Sequence, residues 1–203
     1  MKRLSYIFTI LLIQFFLYLP AYGVTVLDIT EDDFVIGNEN APVTIIEYAS
    51  LSCSPCANFH SNTLEILKKE YVDTGKVRFV FRDFPFNYPA LLGSMVLQCI
   101  PTEVRYDYMN ALFLLQSKWV ARENAKTTRE LFKIMQGGGM TKPDFETCIS
   151  NVELENQLLQ GVINAQNEFN IASTPSFLIN GRLIEGNKSI KEFRQIINKI
   201  LSQ

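Results

Sequence analysis

The chain has 203 residues, 47% of them hydrophobic with 15 phenylalanines, and a formal net charge of −2. That is enough apolar material for a core built without a metal or many bridges, and the length fits one domain with an insertion better than two independent domains. The slight acidity gives no electrostatic footing for nucleic acid or an anionic membrane surface.

Met1-Lys2-Arg3 is basic, residues 4–19 are almost wholly apolar, and Ala21-Tyr22-Gly23 follows. Small residues at that spacing after a short apolar run have the pattern of a secretory signal, residues 1–23, cleaved after Gly23. The rival is an uncleaved membrane anchor, for which the run is short of the roughly 20 residues that span a bilayer comfortably. Export would place the four cysteines in an oxidising space, where an even count is first read as bridges. Residues 24–42, with Glu31-Asp32-Asp33 and a Gly37-Asn38 turn signal, read as a lead-in.

Residues 43–48, Val-Thr-Ile-Ile-Glu-Tyr, are apolar with little alternation, as in a central strand covered on both faces. Their one charge is Glu47. Cys53-Ser54-Pro55-Cys56 then opens a helix expected over 57–71, with Phe59, Leu64, Leu67 and Tyr71 on its inner face. A thiol at a helix mouth faces unpaired N–H groups and the positive end of the dipole, so Cys53 is expected to be the nucleophile, with a lowered pKa. Cys56, one turn on, is expected to be the buried resolving thiol. Residues 76–83 alternate, with Val77, Phe79 and Phe81 facing one way and Arg78, Val80 and Arg82 the other, and complete a βαβ unit.

From 89 to 168 the pattern is helical, with candidate helices at 90–100, 105–120, 127–136, 143–150 and 152–169. Strands follow at 176–179 and 182–185, joined by Asn180-Gly181, a strong hairpin signal, and a final amphipathic helix covers 190–201. The reading is thus a domain made of 43–88 and 169–203, interrupted by a helical insertion, 89–168.

A CxxC at the first helix of a βαβ unit, a helical insert and a hairpin entered through Thr174-Pro175 together resemble the thioredoxin fold, a mixed α/β architecture. More closely the chain is similar to the DsbA-like exported thiol–disulfide oxidoreductases. The stretches that carry the resemblance are 37–44 (GNENAPVT), 53–60 (CSPCANFH), 75–85 (GKVRFVFRDFP) and 173–181 (STPSFLING). The resemblance implies that Thr174-Pro175 is the family's cis-proline turn beside the dithiol. A cis X-Pro bond is cheap, at about 0.5–1 kcal/mol, and the rival is an ordinary trans proline at a strand start. In the cis form the Thr174 backbone would face Cys53 and pair with an extended, cysteine-containing polypeptide by strand addition. The resemblance also implies periplasmic localisation and a membrane quinone-linked thiol oxidase of the DsbB type as partner. It implies no cofactor, and no obvious dimerisation segment argues against a monomer.

Zinc is a weak reading of the CxxC, since the chain has no second CxxC and one histidine, His60, while four good ligands are normally needed. His60, one turn after Cys56, is read as a packing or hydrogen-bonding residue before a proton carrier. Glu47 in its apolar strand is costly if charged and unpaired. The resemblance makes it the fold's buried acid, able to relay the Cys56 proton; the alternative is an acid neutralised by Arg78 or Arg82. Cys99 and Cys148 fall in two helices of the insert, and some relatives carry such a pair, which implies a structural bridge; two buried free thiols are the alternative. Trp119 and the phenylalanines are read as core or groove residues, and Asp83-Phe84-Pro85 as packing, with the border of the substrate groove as the alternative. Ser54-Pro55 puts proline where the reducing thioredoxins also have it, and Thr174 resembles the isomerase and reductase branches more than the typical oxidase; export, the helical insert and the lack of an obvious dimerisation segment still favour net disulfide donation, with isomerisation or reduction as alternative and a chaperone-like binding module as a third.

Overall fold

The central strand of the fold is β2, Val43–Ala49, buried along nearly its whole length, which is why its sequence shows so little alternation. In the computed structural model residues 28–30 and 33–203 are described, so the expected leader and the start of the lead-in lie outside the described residues. β2 runs parallel to β3, Val77–Asp83, and antiparallel to β4, Ser176–Ile179, which pairs antiparallel with β5, Arg182–Glu185. The sheet order is β1-β3-β2-β4-β5. Asn180 and Gly181 both take positive φ, 46° and 81°, as a tight hairpin with native twist requires.

The edge strand β1, Phe34–Ile36, falls inside the stretch read as a lead-in and pairs antiparallel with β3, Phe34 opposite Phe81 and Ile36 opposite Phe79. Two devices hold it there. Arg82 forks onto Asp33, Nε to Oδ1 at 2.6 Å and Nη2 to Oδ2 at 2.7 Å. Gly37 leaves the strand with φ 99°, where a Cβ would stand 2.6 Å from Val77 O.

Sheet parity sorts the side chains. In the parallel register Ile45 lies beside Phe79 and Glu47 beside Phe81, whereas Tyr48 lies beside Arg82. The first set faces the larger core, with Phe59, Leu67, Phe193 and Ile197; the second, with Ile46, Val80, Phe84 and Leu178, packs on Ala165. Arg78 and Arg82 therefore stand on the opposite face from Glu47.

The helix after the dithiol, α1, is α-helical over Ser54–Phe59, passes a π turn at His60–Leu64, continues over Glu65–Leu67 and ends in a second π turn, Lys68–Val72. The step from Phe59 to Leu64 is five residues, too long for one α turn. The π turn takes up the extra residue, and Phe59, Leu64 and Leu67 all stay fully buried.

The insertion comprises α2 Tyr88–Gln98, α3 Thr102–Leu114, α4 Gln116–Trp119, α5 Asn124–Gly137, α6 Lys142–Ile149 and α7 Val152–Phe169. The single helix expected over 105–120 is broken at Leu115, whose ψ of 11° ends α3, and buried Trp119 reaches back to donate Nε1–H to Leu112 O at 2.9 Å. Asp83 and Phe84 are packing residues: Ser94 and Gln98 donate to the Asp83 carboxylate, and Phe84 is buried edge-on against Tyr48. A disulfide joins Cys99, at the end of α2, to Cys148 in α6 across 49 residues. The last helix, α8 Ile190–Leu201, starts at a capping box of Ser189 and Glu192 and lays Phe193 and Ile197 into the core.

Candidate active site

Cys53 is the N-cap of α1. Its backbone is extended, with φ −84° and ψ 117°, and its Sγ accepts the Cys56 N–H at 3.4 Å, the place a serine or aspartate oxygen takes in an ordinary cap. Pro55 sits in the first turn, where its missing N–H costs nothing. Cys53 is 7% exposed and Cys56 fully buried, and both are free thiols.

The two thiols are driven apart electrostatically. A hydrogen bond from Cys56, helped by the Thr174 side chain and the Cys56 N–H, brings the Cys53 thiol down to about 6 against the opposing effects of burial and of the Glu47 charge. Cys56 moves the other way, pushed up first by burial, then by its bond to Cys53 and by the Glu47 charge. Where Cys53 is reduced, this depression stabilises the fold; the contribution is fully present above the ordinary thiol range near 9 and is lost as the pH falls through about 6.

The Thr174–Pro175 peptide bond is cis, and Cys53 Sγ lies 3.3 Å from Thr174 O, with the thiol donating. That contact favours the thiol, so it is given up when Cys53 ionises. Pro175 O in turn accepts Gly186 N–H at 2.8 Å, tying the turn to the hairpin.

Glu47 is fully buried, and its partner is His60 rather than either arginine. Glu47 Oε2 and His60 Nε2 are 2.9 Å apart, while Arg82 is taken by Asp33 and by Tyr48 Oη at 3.0 Å. The reason is the parity described above, which turns Arg78 and Arg82 away from the acid. His60 itself is 3% exposed and stacks on Phe113 with ring centres 4.0 Å apart.

Two further residues touch the dithiol loop, Gln116 of the insertion and Asn87 just before it. Gln116 Nε2 donates to Leu51 O and Cys53 O, both at 3.0 Å, and Ser52 Oγ donates to Asn87 Oδ1 at 3.0 Å. Asn87 carries a local signal, as the N-cap of α2 accepting from Ala90 N–H. Gln116 carries none, because its place comes from the break at Leu115. The structure thus gathers Cys53, Cys56, Glu47, His60, Thr174 and Pro175, and leaves Cys99 and Cys148 to the insertion. Among the described residues no group of three or more His, Cys, Asp or Glu is placed to hold a metal ion.

A dithiol capping a helix, beside a cis-proline turn and over a buried acid on a βαβ strand, is the arrangement of the thioredoxin class. A family profile described as Thioredoxin matches residues 29–199, and the chain belongs to that family. Its likeness within the family is to DsbA-like disulfide oxidoreductases. It is 30% identical over 176 residues to a Rickettsia bellii protein named as a candidate protein-disulfide oxidoreductase, covering 86% of this chain and 67% of that one. It is 28% identical over 180 residues to disulfide bond formation protein D of Bacillus subtilis, covering 82% of this chain and 76% of that protein. The crystal structure of Wolbachia pipientis alpha-DsbA1 superimposes with a TM-score of 0.81 at 28% identity, over 87% of this chain and 94% of that one. The chain spans 62% of the length of the Rickettsia conorii relative it matches.

Proposed function

We propose that this chain is a thiol–disulfide oxidoreductase acting on cysteine-containing polypeptides through a mixed disulfide on Cys53. The observation that carries the reading is the pairing of a helix-capping Cys53 thiol at about 6 with a buried Cys56 whose ionisation is opposed. In the oxidising direction a substrate thiolate attacks Cys53 Sγ, the Cys53–Cys56 bond breaks, and its electron pair and a proton end on Cys56. A second substrate thiolate then attacks the substrate sulfur of the mixed disulfide and releases Cys53 as the thiolate. Two electrons pass from the substrate to the dithiol. Glu47 is the acid that returns the Cys56 proton.

Polypeptide substrates are supported by two features of the rim. Thr174 presents its carbonyl beside Cys53, an edge on which an extended chain can pair. Exposed apolar side chains adjoin the loop contacts: Phe86 at 57% and Tyr88 at 38% flank Asn87, and Leu114 at 74% lies two residues before Gln116. Net oxidation is supported by the lowered Cys53 pKa, which stabilises the reduced form and so makes the disulfide the better oxidant. Isomerisation or reduction is the second reading, favoured by Ser54-Pro55 and Thr174.

Export through a leader at 1–23 to the periplasm is supported by the basic start, the apolar run and Ala21-Tyr22-Gly23. No described helix is long and apolar enough to cross a membrane. Reoxidation by a membrane quinone-linked thiol oxidase, a monomeric state, and a division into 43–88 with 169–203 and an insertion at 89–168 belong to the same reading.

The test is the ultraviolet thiolate absorbance of the reduced protein against pH, followed by equilibration with glutathione and refolding of a reduced and a scrambled substrate. The expected midpoint is about 6, which leaves about nine in ten Cys53 side chains ionised at pH 7, with faster refolding of the reduced substrate. Rescue of the scrambled substrate alone would assign isomerisation, and a midpoint near that of a free thiol with neither activity would leave only a binding module.

A further inference from the structure

We propose that His60 is the positioning residue of Glu47, and that the two act as one unit in taking and returning the Cys56 proton; this rests on the dithiol reading above. Glu47 Oε2 is held by His60 Nε2 at 2.9 Å, while Glu47 Oε1 and His60 Nδ1 are buried with no hydrogen-bond partner among the described residues. Holding Oε2 leaves Oε1 as the oxygen free to receive a proton, and the charge on Glu47 is felt by both thiols.

The surroundings isolate the pair. Phe81 of β3 and Phe177 of β4 lie opposite Glu47 in the sheet, and Phe59, Phe81 and Phe113 enclose the imidazole, at 5.5, 6.0 and 4.0 Å between ring centres. The titratable groups facing it are Cys53 and Cys56 of α1; Arg78 and Arg82 point from the other face of the sheet. In so apolar a site the buried Glu47 carboxyl, whose charge both thiols feel, is the group that receives the proton lost by Cys56.

In the resolving step the Cys56 S–H bond breaks, the proton goes to Glu47 Oε1, and the electron pair on sulfur attacks Cys53 Sγ. The bond from Cys53 to the substrate sulfur breaks, the substrate leaves as a thiolate, and the Cys53–Cys56 bond forms. The dithiol is oxidised by two electrons and the substrate disulfide reduced. In the opposite direction the Oε1 proton meets the Cys56 thiolate as it is released.

His60 Nε2 holds Glu47 Oε2 in a hydrogen bond and so fixes the orientation of the carboxyl group. In His60→Phe the carboxylate loses this partner and must either carry an unpaired buried charge or keep a proton of its own, and the second is cheaper. Glu47 would then no longer oppose Cys53 ionisation and no longer serve as base. His60→Phe should therefore move the Cys53 thiolate midpoint down by about half a pH unit or more. It should also slow Cys56-dependent resolution of a preformed glutathione mixed disulfide at pH 7 at least about tenfold. Glu47→Gln should do both, and the double variant no more than either alone.

A purely structural role would lower the melting temperature and leave midpoint and rate where they are. Because the chain has one histidine, nitrogen NMR of the unsubstituted protein reads His60 without assignment, and its ring signals should shift between the oxidised and reduced forms. An unchanged midpoint and rate in a folded His60→Phe protein overturns the proposal. Where that variant does not fold, identical ring-nitrogen signals in the two redox forms overturn it. Neither the midpoint nor the NMR signal needs turnover. A protein that fails to exchange with glutathione would thus count against the dithiol reading and leave the test of the pair standing.

Discussion

Replacing Cys53 with serine is expected to reduce disulfide exchange by a factor on the order of 10³ or more, measured as glutathione-coupled turnover. The hydroxyl is not ionised at neutral pH and cannot form the mixed disulfide. The fold should survive, because the position is an N-cap and serine is a better capping residue than cysteine. Below about pH 6, where the Cys53 thiolate no longer stabilises the reduced parent, the melting temperature of Cys53→Ser should match or exceed that of the reduced parent, which separates loss of chemistry from loss of structure. Cys56→Ser would not be as clean, since it places a hydroxyl in a fully buried site.

Removing the second cysteine pair should have the largest effect on stability. The Cys99–Cys148 bridge closes a loop of 49 residues, which in the chain-entropy model stabilises the fold by roughly 4 kcal/mol. For a chain of this size that is on the order of 10 °C in melting temperature. Cys99→Ala/Cys148→Ala should lose that amount, most of it from the insertion, where the bridge ties α2 to α6. Thiol counting on Cys53→Ser/Cys56→Ser checks the premise: none without reductant and two after unfolding in reductant, against two in both conditions if the pair is free.

Much of this architecture was legible in the chain because the signals were local and strong. The unbroken apolar run of β2, the Asn180-Gly181 hairpin, the amphipathic face of α8 and the Cys53-Ser54-Pro55-Cys56 turn each report on their own surroundings. β1 was not legible, since three residues are too few to show alternation and what holds them is Arg82, about 50 residues away in sequence. The partner of Glu47 was misjudged for a related reason. Arg78 and Arg82 are the nearest bases on the neighbouring strand, but the pleat turns them to the other face, and His60 reaches the acid from the helix instead, a contact between residues 13 apart that neither element's own pattern announces. Gln116 was invisible because its contact with Cys53 O depends on a break at Leu115 that no glycine or proline announces.

The same distinction orders the site. The features read from the sequence are the reacting groups; those that needed the structure are the groups that hold them. Gln116 of the insertion and Asn87 just before it fix the loop, and His60 fixes the acid from within α1. The insertion is in this sense part of the redox site as well as a cover over the sheet.

The central claim, that Cys53 exchanges disulfides with polypeptides through a covalent intermediate, is tested most directly with Cys56→Ala. Without the resolving thiol, the variant incubated with an extract of exported proteins should accumulate reductant-sensitive adducts, and peptide mass spectrometry should place every linkage on Cys53. Finding no adducts, or adducts that persist in Cys53→Ser/Cys56→Ala, would contradict the account.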